Sequence, residues 1–182
     1  MSSGNPKATV VLTILGIALA GCCLAQTDES KTLSVCDVLA RLPDLKGKEI
    51  AVRGMWFDTD ESLWLVPQDL RCPRELITDG FIWNNSIHLV EARAPLYREN
   101  PNAQLELNRK LSVADAQPER YFVMITLIGT LEARVPPLVV RSPDGVVTGY
   151  GFGHLNISPA ELIYTRFTDV RLVEEKHPPK AR

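Results

Sequence analysis

The sequence lacks an apolar run long enough to cross a bilayer as a helix. Its N-terminal apolar stretch extends from Ala8 to Ala20, which is 13 residues, whereas a transmembrane helix needs about 20. A short run that follows a lone Lys7 and ends in small residues is typical of a signal-peptide core. Two alternatives stay open, a secretory signal followed by a chance cysteine and an uncleaved anchor.

The chain also lacks an excess of basic residues, with 20 Lys and Arg against 22 Asp and Glu. Residues 1–21 contain Lys7 and no acidic residue, so the rest of the chain has a formal charge of -3. Proteins that bind nucleic acids usually carry a basic excess or a basic stripe. The charge balance therefore argues against nucleic acid as a partner.

Motifs that hold metals or phosphates are missing as well. The four cysteines and three histidines show no Cys-x-x-Cys or His-x-x-x-His spacing, so a zinc site is not expected. No glycine pattern matches a phosphate-binding loop or a dinucleotide fingerprint. Asp58, Asp60 and Glu61 are clustered, but they lack the twelve-residue calcium loop, and a solvated turn is the simpler interpretation. No cofactor is expected.

The segment Leu19-Ala20-Gly21-Cys22 ends the apolar stretch, and it resembles the lipobox of bacterial lipoproteins. The resemblance implies that residues 1–21 are removed and that acylated Cys22 anchors the protein to a lipid bilayer. The protein would then lie in the bacterial cell envelope, facing the periplasm or the exterior. Because residue 23 is cysteine rather than aspartate, the same resemblance favours the outer membrane where two membranes exist. Residues 22–32 are interpreted as a tether.

If Cys22 carries lipid, Cys23, Cys36 and Cys72 remain to be explained. Cys23 lies in the tether, whereas the other two lie in the folded region. In an oxidising compartment a disulfide between Cys36 and Cys72 is the expected pairing. Two reduced, buried thiols are the alternative.

A short helix is expected at the start of the folded region. Ser34 is a candidate N-cap, and Asp37 stands three residues later as its reciprocal partner. The apolar residues that follow lie on one face at helical spacing, and Pro43 is expected to stop the helix. These apolar residues are Val35, Val38, Leu39 and Leu42.

From Lys48 the apolar pattern changes to a period of two, which is typical of strands. It predicts a hairpin over 48–66, a third strand around Ile87 and Leu89, and two more strands. Those two strands extend over Tyr121–Arg134 and Leu162–Val173. Between them, Leu138–Thr148 is expected to form a surface hairpin. Gly129 indicates a bulge or a tight bend.

Residues 91–120 separate the third and fourth strands, and a helix over Ala103–Leu111 with Asn102 as its cap is expected there. The strand order resembles an OB-fold, carried by Gly47–Gly54, the strand around Gly129 and Asp169–Leu172. The resemblance implies a mainly β domain over 33–174. It would be a small five-stranded antiparallel barrel with a short N-terminal helix and an inserted helical or irregular segment between strands 3 and 4. Residues 175–182 are interpreted as a flexible tail.

A glycine-rich segment supplies the main candidate binding residues. In Gly149-Tyr150-Gly151-Phe152-Gly153-His154, the glycines allow unusual backbone angles or close approach. Together with the following Ser158-Pro159-Ala160, this part of the chain resembles a recurring element of uncharacterised bacterial envelope proteins. The alternative is a loop that covers an open end of the barrel, with Tyr150 and Phe152 buried and His154 bonded to backbone. Trp64 is expected to point outward and is the fourth candidate.

Two classes of function follow. The first is a non-enzymatic binding or interaction module that uses Trp64, Tyr150, Phe152 and His154 to hold a small molecule, a glycan or a partner protein. The second is an envelope hydrolase with a site around His154 and His88. His88 and Ser86 share a strand face, but no motif supplies a nucleophile or a positioned acid beside them.

Overall fold

The structure, a computed structural model, describes residues 31–92 and 101–175. Its regular structure is mainly β, which confirms the predicted class. The strands are β1 (Leu33–Ser34), β2 (Glu49–Thr59), β3 (Ser62–Val66), β4 (Ile77–Thr78), β5 (Phe81–Ile82), β6 (Ile87–Glu91), β7 (Tyr121–Ala133), β8 (Val139–Arg141), β9 (Val147–Gly149) and β10 (Ala160–Glu174). The helices are α1 (Val35–Ala40), α2 (Leu42–Leu45) and α3 (Pro101–Ala116). The predictions for Cys22, Cys23 and the C-terminal tail from residue 176 lie outside the described residues.

The main sheet contains β2, β3, β6, β7 and β10, and β1 pairs in parallel with β2. The pairs of β2 with β3, β2 with β7, β3 with β6 and β7 with β10 are all antiparallel. The pair of β6 with β10 is parallel, so the expectation of antiparallel strands throughout is wrong here. Both β7 and β3 run opposite to β2, and β6 runs opposite to β3, so β6 and β7 run in opposite directions. Because β10 also runs opposite to β7, β10 and β6 share one direction.

The N-terminal helix begins as the sequence predicts. The Ser34 hydroxyl accepts the backbone N–H of Asp37 at 3.1 Å, and the Asp37 carboxylate accepts from the backbone N–H of Ser34 at 3.1 Å. The hydrogen bond from the Ser34 side chain, followed by the one from its backbone, lowers the pKa of Asp37. The helix ends at Ala40, so Pro43 does not stop it. Pro43 lies instead in the first turn of α2, where the missing N–H of proline costs no hydrogen bond.

Gly129 allows β7 to approach β10 closely. A Cβ atom at this position would lie 2.3 Å from the carbonyl oxygen of Ile163. The pairing of β7 with β10 shifts register between Tyr164 and Arg166, opposite this glycine. The predicted irregularity is therefore present, and the extra residue belongs to the partner strand.

The inserted helix lies between β6 and β7, the third and fourth strands of the main sheet. It extends from Pro101 to Ala116 and is longer than predicted at both ends. Asn102 lies inside its first turn and so is not its cap. Leu107 and Ala114 are its buried residues, and both belong to the main apolar core. The Lys110 ammonium donates to the carbonyl of Val170 in β10 at 2.6 Å, which fixes the helix on the sheet.

A disulfide joins Cys36 to Cys72, with 5.4 Å between the Cα atoms, as predicted. It connects α1 to the 67–73 segment that follows β3. Polar and charged residues of both segments, Asp37, Asp69 and Arg71, lie beside it, whereas Val35 and Val38 of the same helix are fully buried. The bridge therefore fixes a loop that carries no regular structure of its own.

Two small hairpins lie outside the main sheet. β4 and β5 pair Ile77 with Ile82, and β8 and β9 pair Val140 with Thr148. The second confirms the predicted surface hairpin, in which the backbone N–H of Gly145 closes the turn on the carbonyl of Ser142 at 2.9 Å. Among the described residues, no helix has both the length and the apolar character needed to span a bilayer.

Candidate functional site

A cleft of about 520 Å³ opens beside the turn between β2 and β3. The end of β2, the turn and β3 form one side of it, and the 82–86 segment and the connection before β10 contribute to the other. Its apolar lining includes Phe57, Trp64, Val66, Leu70, Ile82 and Trp83. Its polar lining consists of Thr59, Glu61, Asn84, Asn85, Ser86 and His154. A concave, mostly apolar site with a few converging polar groups is the usual form of a ligand site.

Three of the apolar side chains in this cleft are exposed to solvent. The exposed fractions are 48% for Phe57, 61% for Leu70 and 57% for Ile82. They come from three separate segments, namely β2, the 67–73 connection and β5. Exposed apolar residues that gather around one concavity indicate an interaction surface, whereas scattered ones do not.

Trp64 lies at the base of the cleft and is only 6% exposed. It does not belong to the main apolar core that contains its neighbour Leu65, so the expected outward direction does not bring it into solvent: the ring is covered rather than exposed. The connection before β10 covers it, because a Cβ atom at Gly153 would lie 2.4 Å from its ring. The ring also meets the imidazole of His88 edge-on, with centroids 5.3 Å apart. An edge of Trp64 still borders the cleft.

His154 links the connection before β10 to the turn between β2 and β3. Its Nε2 lies 2.9 Å from Oε2 of Glu61, and its backbone N–H donates to the Ser62 hydroxyl at 3.1 Å. The imidazole is 41% exposed and the Glu61 side chain is 61% exposed. This pair therefore borders the mouth of the cleft and stays accessible to a ligand.

Tyr150 and Phe152 lie elsewhere. The guanidinium of Arg134 lies over both rings, 4.2 Å from the centroid of Tyr150 and 5.6 Å from the centroid of Phe152. These distances are typical of cation–π contacts. Neither aromatic residue lines the cleft. The structure thus brings two of the four predicted binding residues, Trp64 and His154, to one cleft and separates the other two from it.

His88 has a carboxylate partner of its own. Its Nδ1 lies 2.7 Å from Oε2 of Glu161, and both side chains are mostly buried. The nearby Ser158 hydroxyl donates to the carbonyl of Ser86 at 2.8 Å and accepts the backbone N–H of His88. Within residues 31–92 and 101–175, no serine hydroxyl bonds to the ring of His88 or His154. The predicted pair of histidines therefore forms two separate His–Glu contacts.

Sequence reasoning missed most of the cleft. The sequence patterns single out none of Phe57, Leu70, Asn84 and Asn85, and they point to Ser86 only through the strand face that it shares with His88. The available signal was this polar triplet, which interrupts two apolar segments just before β6. Ser86 is 6% exposed, and its hydroxyl has no hydrogen-bond partner among the described residues.

The charges at the cleft are acidic. None of its lining residues, all within the described part of the chain, is Lys or Arg. Asp58 and Asp60 stand beside Glu61 in the chain around the β2–β3 turn. In the ranges that the structure describes, no three His, Cys, Asp or Glu side chains are grouped so that they could hold a metal ion.

A larger hollow of about 950 Å³ lies along the disulfide. Three of its five charged lining residues already have partners, because Asp37 accepts from Ser34 and Asp169 pairs with Arg53 and also with Arg171. Burial acts to raise the pKa of Asp169, but the hydrogen bond from Arg171 and the charge of Arg53 outweigh it, and the net direction is downward. This satisfied network makes the hollow a weaker candidate than the cleft.

Comparison of the chain with protein-family models, with curated proteins and with solved structures found no match.

Proposed function

We propose that this protein is a non-enzymatic binding module, anchored by lipid in the bacterial envelope, that holds an amphiphilic ligand in the cleft. The observation that carries the proposal is the grouping of exposed Phe57, Leu70 and Ile82 around one concavity with polar groups at its mouth. A small molecule, a glycan or a segment of a partner protein with an apolar face would suit it. Covering these side chains removes apolar surface from water, which favours binding.

The proposed anchor is supported by the sequence alone. Leu19-Ala20-Gly21-Cys22 follows an apolar run of signal-peptide length and resembles a lipobox. The Cys36–Cys72 disulfide is compatible with an oxidising compartment outside the cytoplasm, where such bridges persist. The bilayer would then be the protein's first partner, reached through acylated Cys22.

We also propose that the domain is an OB-fold-like barrel. The pairings lead from β2 through β3, β6, β10 and β7 and return to β2. A cyclic arrangement of five strands cannot alternate direction throughout, so one parallel pair is required, and β6 with β10 supplies it. The α3 insertion follows the third of these strands, at the place where OB-folds have their longer connection.

The position of the cleft agrees with this proposal. OB-folds bind ligands on the face of their second and third strands, between the first turn and the connection before the last strand. Here Thr59 and Glu61 come from the β2–β3 turn region, and His154 and Ile157 come from the connection before β10. Oligonucleotides are the less suitable class of ligand, because the cleft has no Lys or Arg to contact phosphates.

The test uses 1-hexanol as an apolar probe. The full chain, labelled with ¹³C in the methyl groups of Leu and Ile, is reconstituted in lipid nanodiscs and titrated while methyl NMR shifts are recorded. We expect saturable shifts at Leu70 and Ile82, which border the cleft, and none at Leu105, which is 70% exposed on α3. Burying a six-carbon chain is favourable by about 0.8 kcal/mol per methylene group, which is enough for weak binding.

Two matched variants complete the test. Leu70→Ser removes an exposed leucine of the cleft, and Leu105→Ser removes an exposed leucine outside it, so neither opens a cavity in the core. We expect hexanol binding to weaken about tenfold in Leu70→Ser and to stay unchanged in Leu105→Ser. Equal effects of the two substitutions, or shifts spread evenly over all exposed methyl groups, would contradict a ligand site at the cleft.

A further inference from the structure

The mouth of the cleft carries an uncompensated negative charge. Among the described residues, Glu61 is the only acidic one that lines it, and none that lines it is a Lys or Arg that could neutralise the charge. Asp58 and Asp60 are close to Glu61 in the chain, but neither lines the cleft, and Asp58 borders a separate hollow. A ligand that enters the cleft therefore meets one carboxylate, that of Glu61.

The contact with His154 does not remove this charge when the imidazole is neutral. A neutral imidazole has a single N–H, and it can donate that N–H to the Glu61 carboxylate across the observed 2.9 Å. Such a bond leaves the carboxylate negative. Because the Glu61 side chain is 61% exposed, its remaining lone pairs can accept hydrogen bonds from a bound group.

Ser86 is a buried polar residue in the wall of the same cleft. Ser86 lines it and is only 6% exposed, and its hydroxyl has no hydrogen-bond partner in the described part of the chain. Buried polar groups in folded proteins nearly always have a partner, and an exception suggests a missing water, ion or ligand. Because this oxygen has less than 1 Å² of accessible surface, the partner it lacks is a buried one such as a water, and the charge preference of the cleft rests on Glu61.

From these contacts we infer that the cleft selects ligands by charge: it takes an apolar group that carries an organic cation, such as an ammonium, and rejects the same apolar group with an anionic end. The inference rests on the proposed ligand site and specifies its ligand class. An ammonium group only donates hydrogen bonds, and the Glu61 carboxylate and the amide oxygens of Asn84 and Asn85 are acceptors. A carboxylate in the same place would find repulsion and no cationic donor among the lining residues.

Three probes with the same six-carbon chain test the inference at pH 7: hexylammonium, 1-hexanol and hexanoate. The full chain is placed in nanodiscs of phosphatidylcholine, whose surface has no net charge, and the methyl shifts of Leu70 and Ile82 report binding. A unit charge near one carboxylate, in a partly solvated site, changes affinity by about tenfold. We expect hexylammonium to bind about tenfold more tightly than hexanol, and hexanoate to bind at least tenfold more weakly than hexanol.

A matched pair of variants assigns the selectivity to one side chain. Glu61→Gln keeps the shape of an exposed residue and removes its charge, and we expect it to reduce the advantage of hexylammonium over hexanol at least threefold. Glu106→Gln makes the same change on α3, outside the cleft, and is expected to leave the ratio unchanged. An equal response to both substitutions would show that general surface charge, and not Glu61, causes the preference.

The outcomes separate this inference from the proposal on which it rests. If all three probes shift Leu70 and Ile82 with similar affinity, the cleft binds apolar ligands but the charge selection is wrong. If hexanoate binds most tightly, the cleft prefers anionic ligands, and the inferred preference for a cation is wrong. If no probe shifts these methyl groups, the ligand site itself is wrong, and the inference fails with it.

Discussion

Gly153 has a backbone conformation and a position that both exclude a side chain. Its φ angle is +70°, in the region that favours glycine. A Cβ atom there would lie 2.4 Å from the ring of Trp64 and 2.8 Å from the ring of His88. This one residue therefore lets the connection before β10 lie directly on Trp64 and brings the next residue, His154, to Glu61.

Gly153→Ala tests this role. At φ +70° and ψ -169°, a region essentially restricted to glycine, a residue with a Cβ atom loses about 1–3 kcal/mol, and the overpacking against Trp64 and His88 costs about 1–3 kcal/mol more. We expect the free energy of unfolding in urea to fall by about 2–6 kcal/mol, the sum of the two costs. Gly145→Ala is the matched control, because Gly145 has a φ angle of +87° and nothing within 4 Å of its Cβ position. Equal losses in the two variants would show that Gly153 has no packing role.

The outcome for Trp64 and His154 shows what a residue pattern can and cannot predict. The glycine-rich segment correctly indicated close approach of the backbone around His154, because missing side chains are visible in the sequence. The partner of that approach was not visible: Trp64 is covered by Gly153, which is 89 positions away in the chain. Alternation along β3 predicted an outward direction, but which outward face becomes covered depends on tertiary contacts.

The disulfide is the covalent link between α1 and the 67–73 segment that also provides Leu70 to the cleft. Closing a loop over a sequence separation of 36 restricts the unfolded chain, which stabilises the fold by about 4 kcal/mol in the chain-entropy description. We expect the double variant Cys36→Ala/Cys72→Ala to lose about that much free energy of unfolding in urea. Addition of a thiol reductant should lower the stability of the natural chain and leave the variant unchanged. A variant as stable as the natural chain would contradict a stabilising role for the bridge.

Helix and strand predictions succeeded where the signal is local. The capping box of Ser34 and Asp37 and the turn at Gly145 need only neighbouring residues, and both were predicted. The ends of α3 were not, because Leu107 and Ala114 are held by contacts with the main apolar core rather than by a cap at Asn102. The parallel pair of β6 and β10 was missed because its direction follows from the path of the whole chain.

The molecule combines an apolar N-terminal stretch, an acidic remainder and a domain with one partly exposed apolar cleft. A domain with such a cleft, anchored by its N-terminus, would hold its ligand at a membrane surface without a membrane-spanning segment. This arrangement requires a lipid on Cys22. In this proposal Leu19-Ala20-Gly21-Cys22 decides where the binding activity operates, and the folded domain decides what is bound.

A pair of adjacent cysteines makes the anchor testable. In the natural chain and in Cys23→Ser, we expect the N-terminal peptide of the mature protein to begin at Cys22 and to carry acyl chains, as detected by mass spectrometry of the membrane fraction. Cys22→Ser removes the thiol that would be acylated, and we expect no acylated peptide and no cleavage after Gly21. An unacylated natural chain that is nevertheless cleaved would indicate a plain secretory signal. An intact, unacylated N-terminus in all three proteins would instead indicate an uncleaved anchor. Either result would contradict the lipoprotein proposal, whereas the ligand site at the cleft is tested separately by the binding of the six-carbon probes.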